Sequence, residues 1–91
     1  MNKDRRKQLE ALRERIDALK NQAEELKGEL ENGPLNDEQD TFDNMPESLQ
    51  NSDKGDKAQA ALDAMQEAAD ALDEVMSALD EAAQALETAA E

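Results

Sequence analysis

Residues 61–90 of this chain read ALDAMQEAADALDEVMSALDEAAQALETAA, and this stretch decides the fold class. Apolar residues recur in it at alternating intervals of three and four, the heptad spacing of a helix that packs against another helix. These residues are Leu62, Met65, Ala69, Leu72, Met76, Leu79, Ala83, Leu86 and Ala90. With Leu62 at heptad position a, the spacing predicts a helix over residues 57–90. Asp56 followed three residues later by Gln59 is typical of a capping box at its start, and Ser52 is an alternative start.

The same spacing occurs near the N-terminus and predicts a first helix over residues 5–32. Its apolar positions alternate between a and d, beginning with a, at Leu9, Leu12, Ile16, Leu19, Ala23, Leu26 and Leu30. Gly33 and Pro34 come directly after this stripe. Gly33 is placed for a left-handed cap and Pro34 cannot continue a helix, so we expect the first helix to end there.

Heptad position e carries opposite charges in the two helices. The first helix has Arg6, Arg13, Lys20 and Lys27 at this position, and the second has Gln59, Gln66, Asp73, Asp80 and Glu87. In an antiparallel pair e faces e, so bases would oppose acids, whereas two copies of either helix would oppose like charges. We therefore expect an all-α fold of one domain, residues 1–91, built as an antiparallel helical hairpin (coiled coil). The charges leave open whether the partner helix belongs to the same chain or to a second one.

The composition excludes several classes of function. The 91 residues include 24 acids and 10 bases, for a net charge of −14, with one aromatic residue and neither His nor Cys. A zinc site of the usual kind, thiol or imidazole catalysis and a disulfide framework are thereby excluded. The charge opposes direct nucleic-acid binding, since phosphates would be repelled and no aromatic stacking platform exists. We expect no enzyme and no catalytic, cofactor or metal site.

Location and assembly are also constrained by the sequence. No apolar run approaches the ~20 residues that a membrane span needs, and the charged N-terminus is not followed by the apolar stretch of a secretory signal. We therefore expect a cytoplasmic protein without a membrane partner. A single hairpin of this size buries little apolar surface, and neither disulfide nor metal is available to stabilise it. We expect a homodimer, arranged as a four-helix bundle.

Acidic residues dominate the second helix. Residues 58–91 hold nine acids and no base. Those at positions b and f should point to water, and they are Asp63, Glu67, Asp70, Glu74, Glu81 and Glu91; the first five form a candidate interaction face. This helix carries one charge per roughly 5–6 Å of axis at a rise of about 1.5 Å per residue, against one phosphate per ~1.7 Å of duplex DNA. One helix is too sparse to imitate DNA, and two side by side come closer. A solvated face that keeps the protein soluble and a DNA-mimicking face are both open interpretations.

Small residues line another side of the second helix. Position g holds Ala61, Ala68, Val75, Ala82 and Ala89, and position c holds Ala64, Ala71, Ala78 and Ala85. Alanine is the best helix former, which alone accounts for its frequency. Alternatively, these side chains form a second, shallow stripe that another helix approaches closely.

Residues 33–57 form a connector with apolar and polar residues of its own. Asn36 is a good capping residue for a short helix over residues 36–44, followed by a turn over 45–50. A candidate interaction or bundle-capping segment comprises Phe42, Asn44, Met45, Pro46, Glu47, Leu49 and Gln50. Its apolar members would cover the end of the bundle or dock into a partner, whereas its polar members are harder to explain by packing. The acids from Asp37 onward do not fit a calcium loop, because the sixth and twelfth positions are Phe42 and Ser48.

The connector string E-Q-x-x-F-D-N-M-P-E-S-L-Q-x-S-x-x-G, residues 38–55, resembles a family of small acidic helical proteins. Bacteriophages, prophages and their bacterial hosts encode this family, which has no settled activity. In the family, too, a basic heptad helix precedes the string and an alanine-rich acidic helix follows it. The aromatic residue usual near the C-terminal end of the family is absent here. The resemblance implies a phage-linked origin, a bacterial cytoplasm as the location and a host protein as the partner.

Taken with the charge, these features predict a non-enzymatic protein-binding module. Its most concrete mechanism is inhibition of a host nucleic-acid-binding defence protein through the acidic, DNA-mimic-like surface. The alternative is a structural or scaffolding coiled-coil protein of phage assembly with no DNA-mimic role. A further alternative is a regulator whose segment 42–50 docks in a groove of its partner.

Overall fold

The computed structural model describes residues 2–91, and these residues form helices joined by short turns, with no β-strand among them. The predicted all-α class is confirmed. The elements are α1 (Lys3–Leu30), a π-helical segment (Glu31–Leu35), α2 (Asn36–Asp43), α3 (Glu47–Gln50) and α4 (Asp53–Ala89). Backbone contacts divide the chain into two units. Unit 1 comprises the chain up to Glu25 together with Leu72–Glu91, and unit 2 comprises Leu26–Ala71.

The start of α1 is capped by a side chain. The Asn2 side-chain oxygen accepts a hydrogen bond from the backbone N–H of Arg5 at 2.8 Å, and the Asn2 carbonyl accepts one from the N–H of Arg6 at 3.2 Å. This arrangement satisfies backbone donors that have no partner within the helix. The helix therefore begins at Lys3, two residues before the predicted start at residue 5.

The first helix, α1, ends at Leu30, two residues before the predicted end at residue 32, but the predicted left-handed cap at Gly33 and the stop at Pro34 are wrong. Gly33 does not adopt a positive φ, and Pro34 lies inside the π-helical segment, which leads directly into α2. In an α-helix Pro34 would leave the carbonyl of Leu30 without its donor and would crowd that carbonyl with its ring. A π-turn hydrogen bond joins residues five apart, so the Leu30 carbonyl does not need a donor at Pro34. The wider turn thus carries the helical backbone past the proline.

The short helix α2 is present close to its predicted bounds of 36–44, but Asn36 is not its cap. Asn36 has helical dihedral angles, because the π-helical segment delivers a backbone that is already helical. The helix ends at Asp43, and Asn44 follows with φ −87° and ψ −2°. The predicted turn over 45–50 contains the one-turn helix α3, which Pro46 precedes in an extended conformation.

The last helix begins earlier than its predicted bounds of 57–90. It begins at Asp53, so the expected capping box at Asp56 and Gln59 lies inside the helix. The alternative start fits instead: Ser52 comes directly before the helix, and its carbonyl accepts a hydrogen bond from the N–H of Asp56 at 2.9 Å. The Ser52 hydroxyl donates to the carbonyl of Leu49 at the end of α3.

Gly55 explains how unit 2 packs α4 next to α3. It is buried, and a Cβ atom placed on it would lie 2.5 Å from the carbonyl oxygen of Leu49 and closer still to that of Gln50. Real Cβ atoms do not approach so closely. A residue without a side chain is therefore needed where α4 passes the last carbonyls of α3.

In unit 1 the exposure of α1 differs from the predicted a/d stripe. Ala23 is buried and Ile16 is half-buried, but the position-d residues Leu12 and Leu19 remain 43% and 53% exposed. Position e lies about 40° from a on the helix circumference, and d lies about 60° away on the other side. The e-position residues Arg13 and Lys20 are less exposed than the leucines, so α1 is turned toward its a and e positions.

Candidate interaction surfaces

Two ion pairs join α1 and α4 within unit 1. Arg13 Nη2 lies 3.5 Å from Glu87 Oε2, and Lys20 Nζ lies 2.8 Å from Asp80 Oδ1. Seven residues forward along α1 correspond to seven residues backward along α4. This relation gives the two helices opposite directions where the pairs form. Both pairs connect a basic residue at position e of α1 with an acidic residue at position e of α4.

Electrostatics around Lys20 favour its charged form. The hydrogen bond to Asp80 and the charge of that carboxylate raise the pKa of Lys20 above its ordinary value. Glu24 and Asp17 on its own helix act in the same direction, and partial desolvation opposes them. Opposite charges and hydrogen bonds to the charged form are the causes that raise the pKa of an amine.

The other charged residues assigned to interhelix pairing are Arg6, Lys27 and Asp73. Lys27, in unit 2, lies 4.0 Å from Glu31 one turn further along the chain. Arg6 is exposed, and no ion pair involves it within residues 2–91. Asp73 is exposed on α4. The guanidinium of Arg13 has one further feature, a buried Nε without a hydrogen-bond partner.

The acidic ridge, defined as the position-b and position-f acids of α4 from Asp63 onward, is exposed throughout. In unit 2 it comprises Asp63, Glu67 and Asp70, and in unit 1 it comprises Glu74 and Glu81. Amide groups one turn earlier donate to two of these carboxylates, from Gln59 to Asp63 at 2.9 Å and from Gln66 to Asp70 at 3.2 Å. Within the described chain no Lys or Arg forms a salt bridge with a ridge acid. The ridge therefore carries charge that the fold does not neutralise.

The segment Phe42–Gln50 combines half-buried and exposed side chains. Phe42, Met45 and Gln50 are half-buried, whereas Leu49 is 40% exposed. The exposed remainder comprises Asp43, Asn44, Pro46, Glu47 and Ser48. Gln50 Nε2 donates to the carbonyl of Phe42 at 3.0 Å and so ties α3 to the end of α2. Gln50 is one of the polar residues of this segment that packing alone did not explain, and this hydrogen bond gives it a structural role.

Sequence reasoning missed two residues that shape unit 2. Neither the need for Gly55 beside the α3 carbonyls nor the backward hydrogen bond of Ser52 was expected. Both residues belong to the connector string, and a glycine in the first turn of a helix, shortly after a proline-initiated turn, is the signal that points to a close approach.

Exposed apolar side chains form a further surface in unit 1. Leu12, Arg15, Ile16, Leu19 and Leu86 line a shallow groove of about 270 Å³. Val75 on α4 is 47% exposed. This surface was anticipated only in part, from the small residues at positions c and g of α4.

The described residues do not form a site for a metal ion or a membrane span. No group of three or more acidic side chains converges as a metal site would require within residues 2–91. In the same part of the chain, no helix combines the length and apolar character that crossing a bilayer demands.

Comparison of the chain with protein-family models, with curated proteins and with solved structures finds no match.

Proposed function

We propose that this protein is a non-enzymatic helical module that binds the cationic surface of another protein through its acidic ridge. The observation that carries the proposal is the separation of charge on α4. Acids at position e meet α1, as in the Lys20–Asp80 and Arg13–Glu87 pairs. Acids at positions b and f face water without a cation. Unneutralised charge of one sign along a helix steers and binds partners of opposite charge.

The scaffold of the module is an antiparallel helical hairpin of α1 on α4 that dimerises into a four-helix bundle. The two ion pairs support the hairpin, because their positions change in opposite directions along the two helices. The limited burial supports dimerisation, since the buried apolar residues of the described chain are only Ala23, Ala58, Leu62 and Ala69. Small domains without disulfides or metals commonly gain their missing stability by association.

The partner that best fits the ridge is a protein with a nucleic-acid channel. Such channels are lined with Lys and Arg, which recognise regularly spaced negative charges. Two ridges side by side on a dimer would halve the mean axial distance between neighbouring acids, relative to one helix. The chain would then compete with nucleic acid, as a phage-encoded inhibitor of a host nucleic-acid-binding defence protein in the bacterial cytoplasm would do.

A second candidate function is structural, as a scaffolding protein of phage assembly. The observation that favours it is the exposed apolar surface of unit 1, where Leu12 and Leu19 lie open. A scaffold would associate through this surface, and its acids would serve solubility alone. The two functions differ in whether duplex DNA competes with the partner.

Capture from a bacterial lysate, with and without added duplex DNA, tests the proposal. The ridge variant Glu67→Gln/Glu74→Gln/Glu81→Gln loses three charges from exposed positions of α4. The control Glu10→Gln/Glu14→Gln/Glu25→Gln loses three charges from exposed positions of α1. The proposal predicts a captured protein that is lost with the ridge variant, kept with the control, and released by salt or DNA. Capture that survives both DNA and the ridge variant would instead identify a scaffold.

A further inference from the structure

One strip of unit 1 exposes large apolar side chains. On α1 it contains Leu12 and Leu19, which are 43% and 53% exposed, and on α4 it contains Val75, which is 47% exposed. The groove beside the leucines is lined by Leu86 as well. Single exposed apolar residues are normal on a soluble protein, but several that line one groove together, as Leu12, Leu19 and Leu86 do, mark a candidate interaction surface.

The part of this strip on α4 carries no charge. Its position-c and position-g residues in unit 1 are Val75, Ala78, Ala82, Ala85 and Ala89. All nine acids of residues 58–91 occupy positions b, e and f. A helix face that only meets water would be expected to share these acids. The absence of acids from the strip favours coverage by a protein surface over exposure to water.

The strip and the ion pairs lie on opposite edges of the helix pair. Positions e and g flank the a/d stripe of a helix on its two sides. The edge with position e is closed by Arg13–Glu87 and Lys20–Asp80. The edge with position g is open, and Ala23 is the only buried residue of the described part of unit 1. The unit therefore has an incomplete core on the side of the strip.

We infer that a second copy of this chain covers the strip, with leucines of α1 in one copy packed on alanines of α4 in the other. This inference rests on the proposed self-association and names its surface. A chain of net charge −14 repels its own copy wherever acids face acids. Two copies that meet through the strip of α4 do not bring acids opposite acids. Arg15, which lines the groove, places a cation beside it.

The strip is also complementary to itself. It presents leucines on α1 and, apart from Val75, alanines on α4, so a two-fold axis would place the leucines of each copy on the alanines of the other. An unrelated partner would have to supply both shapes. The acidic ridge occupies other positions of α4, so it stays exposed in the dimer and remains open to a cationic protein.

Sedimentation of the full chain at micromolar concentration tests this inference, with helicity followed by circular dichroism. The wild type should sediment at twice its mass of 10.0 kDa. Ala82→Glu should sediment as a monomer of unchanged helicity, because Ala82 is already exposed in the single chain. Leu12→Gln/Leu19→Gln should do the same. The matched control is Ala60→Glu, which adds the same charge at an exposed position f of α4 outside the strip and should remain a dimer.

A monomeric wild type, or a strip variant that remains a dimer, would overturn the inference. Both outcomes differ from failure of the proposed function, which appears as partner capture that does not depend on the ridge. No ridge residue lies on the strip, and no substitution in the strip variants removes an acid.

Discussion

The ammonium group of Lys20 and the carboxylate of Asp80 form an ion pair 2.8 Å long between α1 and α4. Seven residues away on each helix, and in opposite directions, Arg13 meets Glu87. Two acids of α4 at position e, Asp80 and Glu87, thus pair with bases of α1, whereas the acids of the acidic ridge are exposed and no salt bridge within the described chain involves them. We propose that the ridge acids bind a partner.

The pKa of Lys20 should be measurably raised, and Asp80 should be the main reason. We expect the Lys20 amine to titrate above its ordinary value of about 10.4. In Asp80→Asn its pKa should fall toward that value. Nuclear magnetic resonance of the side-chain amine or its neighbouring carbon gives both titrations. An unchanged pKa in Asp80→Asn would contradict the pairing.

The same shift sets the direction of a pH effect on stability. Because the folded-state pKa of Lys20 is the higher one, its stabilising contribution is fully present below the unfolded value. It is lost as the pH rises through the folded-state pKa, above about 10.4. Thermal unfolding of wild type and Asp80→Asn should therefore converge in that alkaline range.

Gly55→Ala should destabilise the protein, whereas Gly28→Ala should stabilise it. The new Cβ at position 55 would meet the carbonyls of Leu49 and Gln50, while nothing lies within 4 Å of a Cβ at position 28. Overpacking of this kind lowers the free energy of unfolding by about 1–3 kcal/mol. Replacing glycine by alanine inside an open helix raises it by about 0.5–1 kcal/mol. Urea unfolding followed by circular dichroism measures both, and equal effects would disprove the close approach.

The helices and their ion pairs were predictable because both follow from a seven-residue repeat. Apolar spacing places a and d on one side of each helix, and the charges at position e then select Arg13 and Lys20 as partners of the acids on α4. The opposite directions of the two helices follow from the charges at position e, without any measured distance between side chains. For this reason heptad position and charge sign are enough to name the two kinds of partner.

Other features depend on neighbours that a linear pattern does not contain. Gly33 and Pro34 are typical of a helix end. The helical backbone continues through them because residues Glu31–Leu35 adopt a π-helical hydrogen-bonding pattern, which a sequence pattern does not reveal. Gly55 is required by carbonyls of α3 that the fold brings next to it. The exposure of Leu12 and Leu19 depends on how far α1 is turned about its own axis, which spacing alone leaves undetermined.

Gln50→Met should weaken the link between α2 and α3. The substitution removes the side-chain donor to the Phe42 carbonyl, which also accepts a hydrogen bond from the N–H of Met45 at 3.1 Å. A hydrogen bond of this type contributes about 0.5–1.5 kcal/mol to the free energy of unfolding. Gln84→Met is the matched control, since Gln84 is exposed and no hydrogen bond of its side chain occurs in the described chain. Similar losses in both variants would argue against a specific role for Gln50.

Exchanging the charges of Arg13 and Glu87 should preserve the fold, although each single reversal weakens it. Their side chains are 37% and 61% exposed, so the coupling between them should be small, about 0.3–1 kcal/mol. Glu87→Arg places like charges opposite each other, and adding Arg13→Glu should recover the stability that was lost. A double-mutant cycle by thermal unfolding at low salt gives this coupling, and high salt should reduce it. Additive losses would show that the two side chains do not interact.

The division of the α4 acids is tested most directly by carbodiimide treatment with excess glycine ethyl ester, followed by peptide mass spectrometry on mixed ¹⁴N- and ¹⁵N-labelled protein. We expect Lys20 to be joined to Asp80 within one isotopic form, which places both helices of the pair in one chain. The ridge acids Glu67, Glu74 and Glu81 should react with the added amine instead. Cross-links from Lys20 to ridge acids, or Lys20–Asp80 links of mixed isotope, would contradict the assignment of separate roles to these acids in a single-chain hairpin.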